Sequence, residues 1–204
     1  MVDNANTKIG VIGGSFDPVH NAHISLAEHA YRELSLSKVI FMPAHIQPFK
    51  ADKEVTDEGH RINMLNLAIK DYPYFEVSDL EMRLGGKSYT ARTLTELKKE
   101  YDNIVFILGA DSYMGLSKWY MPEVIFSMAE IACAVRNDVD MTDLMDKSEE
   151  YTRTYGATTH FLKMPRTDIS STCLRDMLSK EEFPKEQMNP EVWEYIRSHN
   201  LYRR

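Results

Sequence analysis

The sequence predicts an α/β fold, a doubly wound parallel sheet in a single domain, and three observations carry that expectation. Short apolar runs of strand length alternate with segments whose apolar residues recur at helical spacing, the pattern left by crossovers between parallel strands. The first run, Ile9–Gly13, meets glycines and Asp17-Pro18 and then an amphipathic segment, so strand, turn and helix follow in close succession. Finally, 204 residues suffice for one sizeable core and are few for two, which puts a single domain over residues 1–204 with its core at 8–201.

Composition narrows the function classes. Hydrophobic residues at 43% and charged residues at 27% are ordinary for a globular protein, while a net charge of −7 argues against nucleic acid as a partner. An acidic chain that binds polyphosphate must gather its cations locally, so histidines, lysines and arginines near glycine turns carry most weight. Met1–Thr7 lacks the apolar core of a signal peptide and no apolar run reaches membrane-span length, so no membrane partner and a cytoplasmic location are expected. Cys133 and Cys173 form no Cys-x-x-Cys pair and suit reduced thiols.

Taken in order, Ile9–Gly13 suits a buried strand, and Asn21 is placed to cap the next helix, where Ile24, Ala27, Ala30, Tyr31 and Leu34 keep helical spacing. Lys38–Met42, closed by Pro43, is the second strand and completes a right-handed crossover. Residues 44–55, with Pro48, Lys50 and alternating charges, read as a loop overhanging that strand's carboxyl end. A helix begins at Thr56, with Asp57 and Glu58 favoured by its dipole, and turns Ile62, Leu65, Ala68 and Ile69 inward before Pro73. Tyr74–Val77 is a brief third strand, and Thr90 is read as a helix cap. Asn103–Leu108 is the most strongly marked strand and ends in Gly109-Ala110-Asp111-Ser112. Pro122 suits a first helical position, Ile131–Val135 is a fifth strand with Arg136 at its end, and Met141–Tyr155 is a helix stopped by Gly156. Thr158–Met164 is the sixth strand, and Asn189-Pro190 opens a closing helix to Leu201, with no visible chemistry.

The chemistry concentrates where strands end. In an open α/β sheet the turn after the first strand gathers backbone N–H groups and a helix amino terminus, an anion site that phosphate suits. Gly10, Gly13 and Gly14 do not fit Gly-x-Gly-x-x-Gly and no Gly-Lys-Ser/Thr follows, which sets aside the dinucleotide fingerprint and the P-loop. His20 and His23, three apart, share a face and point two imidazoles at the guest of that turn; a metal pair or a satisfied cap is the plainer reading. A strand ending in Gly109 and Asp111 marks another site edge, with a helix cap as the plain reading of Asp111, and core or partly buried surface is the plain reading of Trp119-Tyr120. Ser170-Ser171-Thr172 with Arg175 one turn in is either an ordinary cap beside a solvated arginine or a second anion site.

Apart from Ala22, which stands where glycine is usual, Gly13–His23 resembles Gly-Gly-x-Phe-Asp-Pro-x-His-x-Gly-His, the signature of the nucleotidyltransferase superfamily of adenylyltransferases. Ile169–Arg175, with Leu174 replacing isoleucine, resembles that superfamily's triphosphate motif Ile-Ser-Ser-Thr-x-Ile-Arg. Between them, Ser88-Tyr89-Thr90 with Thr93-Leu94, and Trp119-Tyr120, are similar to motifs of its nicotinate-nucleotide branch. The resemblance implies a Rossmann-like nucleotidyltransferase fold and adenylyl transfer from ATP to nicotinate mononucleotide, giving deamido-NAD and pyrophosphate in NAD biosynthesis. It implies ATP held by Gly13, Gly14, Ser15, Phe16, His20, His23, Gly109, Asp111, Ile169, Ser170, Ser171, Thr172 and Arg175. It implies nicotinate mononucleotide held by Gly14, Ser15, Lys50, Tyr89, Thr90, Trp119, Tyr120 and Arg136, with Thr90 meeting the pyridine carboxylate and Trp119-Tyr120 enclosing the ring. A solvated surface lysine is the plain alternative for Lys50.

The implied catalytic residues are His20, His23 and Arg175, with Mg²⁺ carried on the ATP phosphates rather than in a protein cage. The acceptor phosphate is already an anion, so positioning and charge neutralisation replace a general base. Nicotinamide mononucleotide or phosphopantetheine as acceptor, and a nucleotide-binding regulator without turnover, are the alternatives, and a homodimer stays open.

Overall fold

A computed structural model describes residues 7–48, 55–136, 141–165 and 169–203, the side chain of Arg136 apart. Its strands are Lys8–Gly14 (β1), Lys38–Pro43 (β2), Phe75–Val77 (β3), Asn103–Gly109 (β4), Glu130–Arg136 (β5) and Thr159–Met164 (β6). The helices are Asn21–Glu33 (α1), Glu58–Ile69 (α2), Leu80–Leu84 (α3), Thr90–Leu97 (α4), Ala110–Met114 (α5), Pro122–Met128 (α6), Met141–Tyr155 (α7), Ser171–Ser179 (α8) and Pro190–Ser198 (α9). The strands form one six-stranded parallel sheet in the order β3-β2-β1-β4-β5-β6, the doubly wound arrangement that the alternating pattern predicts.

Both faces of the sheet are covered, which is why its central strands read as continuous apolar runs. On one face Ile12, Val105 and Ile107 pack with residues of α1, α2, α8 and α9. On the other, Ile9, Val11, Ile104, Phe106 and Leu108 pack with residues of α4, α6 and α7. Gly10 is dictated by this packing, since a Cβ there would lie 2.7 Å from Leu36 Cδ1 and 2.8 Å from Ile107 Cδ1. No helix of the described residues is long and apolar enough to cross a membrane.

The winding reverses between β1 and β4, the switch point outside whose carboxyl ends ligands settle in open α/β sheets. Among the described residues β1 pairs with β4 as far as Ile12–Ile107, while its pairing with β2 runs on to Gly14–Pro43. The two central strands therefore part just where both sequences turn to glycine.

Several boundaries differ from the sequence expectation. His20, not Asn21, is the N-cap of α1: its backbone is extended (φ −149°, ψ 169°) and it forms a capping box with His23. Asn21 instead donates from its backbone and side chain to the Gln187 and Glu186 carbonyls before α9. Tyr89, not Thr90, caps α4, its carbonyl accepting from the Arg92 and Thr93 amides. The helix expected from Thr56 starts at Glu58, because Asp57 caps it through Gly59 N at 2.9 Å. The closing helix ends at Ser198, short of Leu201.

Candidate active site

The turn after β1 is anchored by the residue that bends it. Phe16 sits at φ 48°, a left-handed conformation costing a non-glycine residue about 1 to 3 kcal/mol, and its ring is fully buried beside Phe41 and edge-on to His23 at 5.0 Å. Burying that ring offsets the strain and leaves Gly13, Gly14 and Ser15 facing outward or half so. A Cβ on the exposed Gly13 would meet only Phe106 Cε2, at an ordinary 3.7 Å, so packing does not demand glycine there. What glycine does supply is bare backbone at the end of β1, where a ligand can approach closely.

His20 and His23 stack with ring centroids 3.7 Å apart. His20 N donates to His23 Nδ1 at 3.3 Å, so a neutral His23 ring carries its proton on Nε2 and offers it as a donor. Burial, and next the neighbouring His20, hold the His23 pKa well below its ordinary value. His23 therefore waits as a neutral N–H donor toward the turn.

The start of α8 lies directly on this turn. Ser171 Oγ donates to the Pro18 carbonyl at 3.0 Å, and one Arg175 nitrogen donates to the Asp17 carbonyl at 2.6 Å. A second Arg175 nitrogen reaches Thr172 Oγ1 at 3.3 Å. Ser170 caps α8 by accepting from Cys173 N, as its plain reading held, and Ile169 packs against the core. The first and last motifs are thus parts of one surface.

Behind that surface lies a network that the motifs do not announce. Asp17, only 4% exposed, accepts from the Tyr202 hydroxyl at 2.6 Å through Oδ1 and from Thr56 N at 3.4 Å through Oδ2. Arg61, 2% exposed, donates to the carbonyls of Thr56 and Ser15 at 2.9 Å each. Ser15 Oγ donates to Gln47 Oε1 at 2.7 Å. Burial, with the Asp17 charge second, pushes the Tyr202 phenol up and keeps it a donor. Arg61 left a trace in the sequence, since it falls on the same helical face as Leu65 and Ala68; an arginine among inward residues implies a buried partner. Tyr202 left none.

The other side of the switch point is looser. Gly109 is the N-cap of the five-residue α5, and Asp111 lies exposed in its first turn without capping it, which removes the cap reading. Trp119 is half-buried, its ring edge-on to Phe106 at 6.2 Å, while Tyr120 is 51% exposed with its ring 4.4 Å from that of Tyr89. The two acceptor-branch motifs thus meet through Tyr89 and Tyr120. Met121, which follows, is left-handed at φ 52° just before Pro122 opens α6.

Below Tyr89, the buried Glu81 accepts from Thr93 Oγ1 at 2.6 Å, and Ser88 Oγ accepts from His45 N at 2.9 Å. Burial raises the Glu81 pKa against the donors Ser88 and Thr93. Thr90, at the start of α4, is half-buried. Lys50 lies outside the described residues, as does the side chain of Arg136 at the end of β5. Among the described residues no group of three or more His, Cys, Asp or Glu is arranged to hold a metal ion. A hollow of about 330 Å³ beside Met145, Ser148 and Thr152 on α7 contains none of the motif residues.

Comparison with known proteins agrees with this geometry. The cytidylyltransferase-like family model matches residues 11–177. A probable nicotinate-nucleotide adenylyltransferase of Carboxydothermus hydrogenoformans is 39% identical over 98% of this chain and 100% of its own. Its counterpart from Lachnoclostridium phytofermentans is 37% identical over 96% and 98%. Among solved structures, Plasmodium falciparum nicotinic acid mononucleotide adenylyltransferase complexed with NaAD superposes with a TM-score of 0.75 at 24% identity, covering 96% of this chain and 97% of that one, a likeness of fold. With its six-stranded sheet, its switch-point turn and these relatives, the chain belongs to the nicotinate-nucleotide adenylyltransferase family, within the cytidylyltransferase-like proteins.

Proposed function

We propose that this protein transfers the adenylyl group of ATP to nicotinate mononucleotide, releasing pyrophosphate and forming deamido-NAD in NAD biosynthesis. The observation that carries this reading is the junction of α8 with the β1 turn at the switch point, through Ser171 on Pro18 and Arg175 on Asp17. It joins a glycine turn, two imidazoles and a guanidinium on one surface suited to a triphosphate. Tyr89 and Tyr120, with Trp119 beside them, supply an aromatic acceptor side.

In the reaction an oxygen of the acceptor's 5′-phosphate attacks the α-phosphorus of ATP, and the bond to the bridging oxygen of pyrophosphate breaks. The nucleophile is already ionised, so no side chain need take its proton; what the protein must do is bring two anions together and receive charge on the leaving oxygens. In this reading Gly13, Gly14, Ser15, Phe16, Ile169, Ser170, Ser171 and Thr172 line the ATP phosphates. His20, His23 and Arg175 donate to them where charge develops. Gly109 and Asp111 lie along the ribose, and Thr90 with neighbouring amides receives the pyridine carboxylate while Trp119 and Tyr120 enclose the ring. Gly14 and Ser15 also face the acceptor phosphate, with Lys50 and Arg136 as its further cations.

ATP enters with Mg²⁺ on its phosphates, as substrate. The carboxylate inside the turn, Asp17, is already engaged by the Tyr202 hydroxyl and the Thr56 amide, which fits a metal held on the nucleotide rather than by this side chain. The cytosol is the proposed compartment: Cys133 and Cys173 are free, and burial pushes the Cys133 thiol up to about 12, where it is inert. The test is pyrophosphate release from ATP with nicotinate mononucleotide, nicotinamide mononucleotide or phosphopantetheine. Release with the first far exceeding the other two is expected, and release driven by phosphopantetheine would overturn the assignment.

A further inference from the structure

Asp17 presents two kinds of oxygen to its surroundings. Its carbonyl holds Arg175 at 2.6 Å, and its carboxylate, on the same residue, holds the Tyr202 hydroxyl at 2.6 Å and the Thr56 amide at 3.4 Å. A buried carboxylate short of donors seeks the nearest cation, and a guanidinium fits a carboxylate in a two-pronged pair better than it fits a lone carbonyl. Here the guanidinium is already bound to the neighbouring oxygen, and its charge is felt at the Tyr202 phenol. The other nearby cation, Arg61, is committed to the Ser15 and Thr56 carbonyls. Arg175, held by the carbonyl of the same residue, is a cation that could pair with that carboxylate, and such a pair would turn its fork inward.

We propose that Tyr202 is a positioning residue for the ATP half of the site: by filling the Asp17 carboxylate with a neutral donor, it prevents Asp17 from capturing Arg175 and keeps that guanidinium turned toward the phosphates. The segment after α9, which contributes no group to the reaction, thereby sets the strength of nucleotide binding. A neutral phenol is suited to the task, since it satisfies the carboxylate without bringing a charge of its own to the turn. The proposal rests on the reading of Arg175 as a triphosphate ligand.

The experiment is a Tyr202→Phe variant read in two independent ways. In a crystal structure without nucleotide, Arg175 is expected to have left the Asp17 carbonyl for the Asp17 carboxylate; an unmoved Arg175 overturns the proposal. By calorimetry with MgATP alone, the variant is expected to bind about tenfold more weakly than wild type, with the KM for nicotinate mononucleotide held within about twofold. A merely structural tyrosine would weaken binding regardless of its neighbours, so the same substitution is repeated in Asp17→Asn and in Arg175→Ala backgrounds. In each the loss is expected to shrink below about twofold, because either the captor or the captive is gone. An undiminished loss in whichever background folds, or wild-type ATP affinity in Tyr202→Phe, overturns the proposal. A wild type without ATP affinity whose variant still shows Arg175 on the Asp17 carboxylate would instead overturn the triphosphate reading and leave the guard in place.

Discussion

The turns after β1 and β4 stand side by side at the switch point, yet they are built on opposite plans. The β1 turn is pinned from within by Phe16, from above by α8 through Ser171 and Arg175, and from behind by Tyr202, Thr56 and Arg61. The β4 end has a five-residue helix without a side-chain cap, an exposed Asp111 and, further on, a half-exposed Tyr120 beside a left-handed Met121. The difference matches the two jobs proposed. Stabilising charge as a P–O bond breaks needs groups fixed beforehand, whereas admitting and releasing a planar acceptor needs an edge that can open.

If the β1 side carries the chemistry, damage there falls on turnover. A His20→Ala, His23→Ala double variant is expected to fold and to lose roughly 10²-fold or more in kcat, about 2.7 to 4 kcal/mol of charge stabilisation. Steady-state rates with circular dichroism as the fold control decide it; wild-type rates would erase the contrast between the two turns.

Arg175→Lys is the next largest effect. A point charge cannot hold the Asp17 carbonyl and grip phosphate oxygens together, so MgATP binding should weaken about tenfold or more while acceptor binding holds. Titration calorimetry reads it, and undiminished affinity would return α8 to the status of an ordinary capped helix.

On the looser side, Tyr120→Ala is expected to raise the acceptor KM by about 5- to 150-fold, the range for losing an aromatic face worth about 1 to 3 kcal/mol, with the ATP KM unchanged. If both constants rise together, the two sides are not separate devices.

The smallest effect is one of stability. Because folding lowers the His23 pKa, the unfolded chain binds more protons between that lowered value and about 6.5, the ordinary value. His23 therefore contributes fully to stability above about pH 6.5, and the contribution is lost as pH falls toward the folded pKa. Melting curves at pH 8 and pH 5 should show a fall that is smaller in His23→Asn, and an identical fall would remove His23 from this role.

What the sequence made legible was local. Ile9–Gly13, its glycine turn and the spacing of Ile24, Ala27 and Ala30 sit within one short stretch, so strand, turn and helix could be read together. A satisfied cap was the plainer reading of His20 and His23, though histidine is not among the preferred capping residues; the geometry of His23 Nδ1 on His20 N decides for it over Asn21. The bracing of Asp17 was not legible at all, since Tyr202 and Thr56 meet it across long separations in the chain and through a single hydroxyl and a single amide. Asp111 could be read two ways until the backbone showed Gly109 in the cap position. Arg61 stands between these cases: its inward position was legible, its partners were not.

The most direct test of the proposed activity is kcat/KM for nicotinate mononucleotide against nicotinamide mononucleotide in the wild-type protein. In the proposed pocket of Thr90 and nearby amides, a carboxylate finds donors where an amide sets N–H against N–H. One such mismatch costs about 1 to 3 kcal/mol, so a preference of roughly 5- to 150-fold for the acid nucleotide is expected. Equal values for the two nucleotides would contradict the carboxylate pocket and, with it, nicotinate mononucleotide as the preferred acceptor.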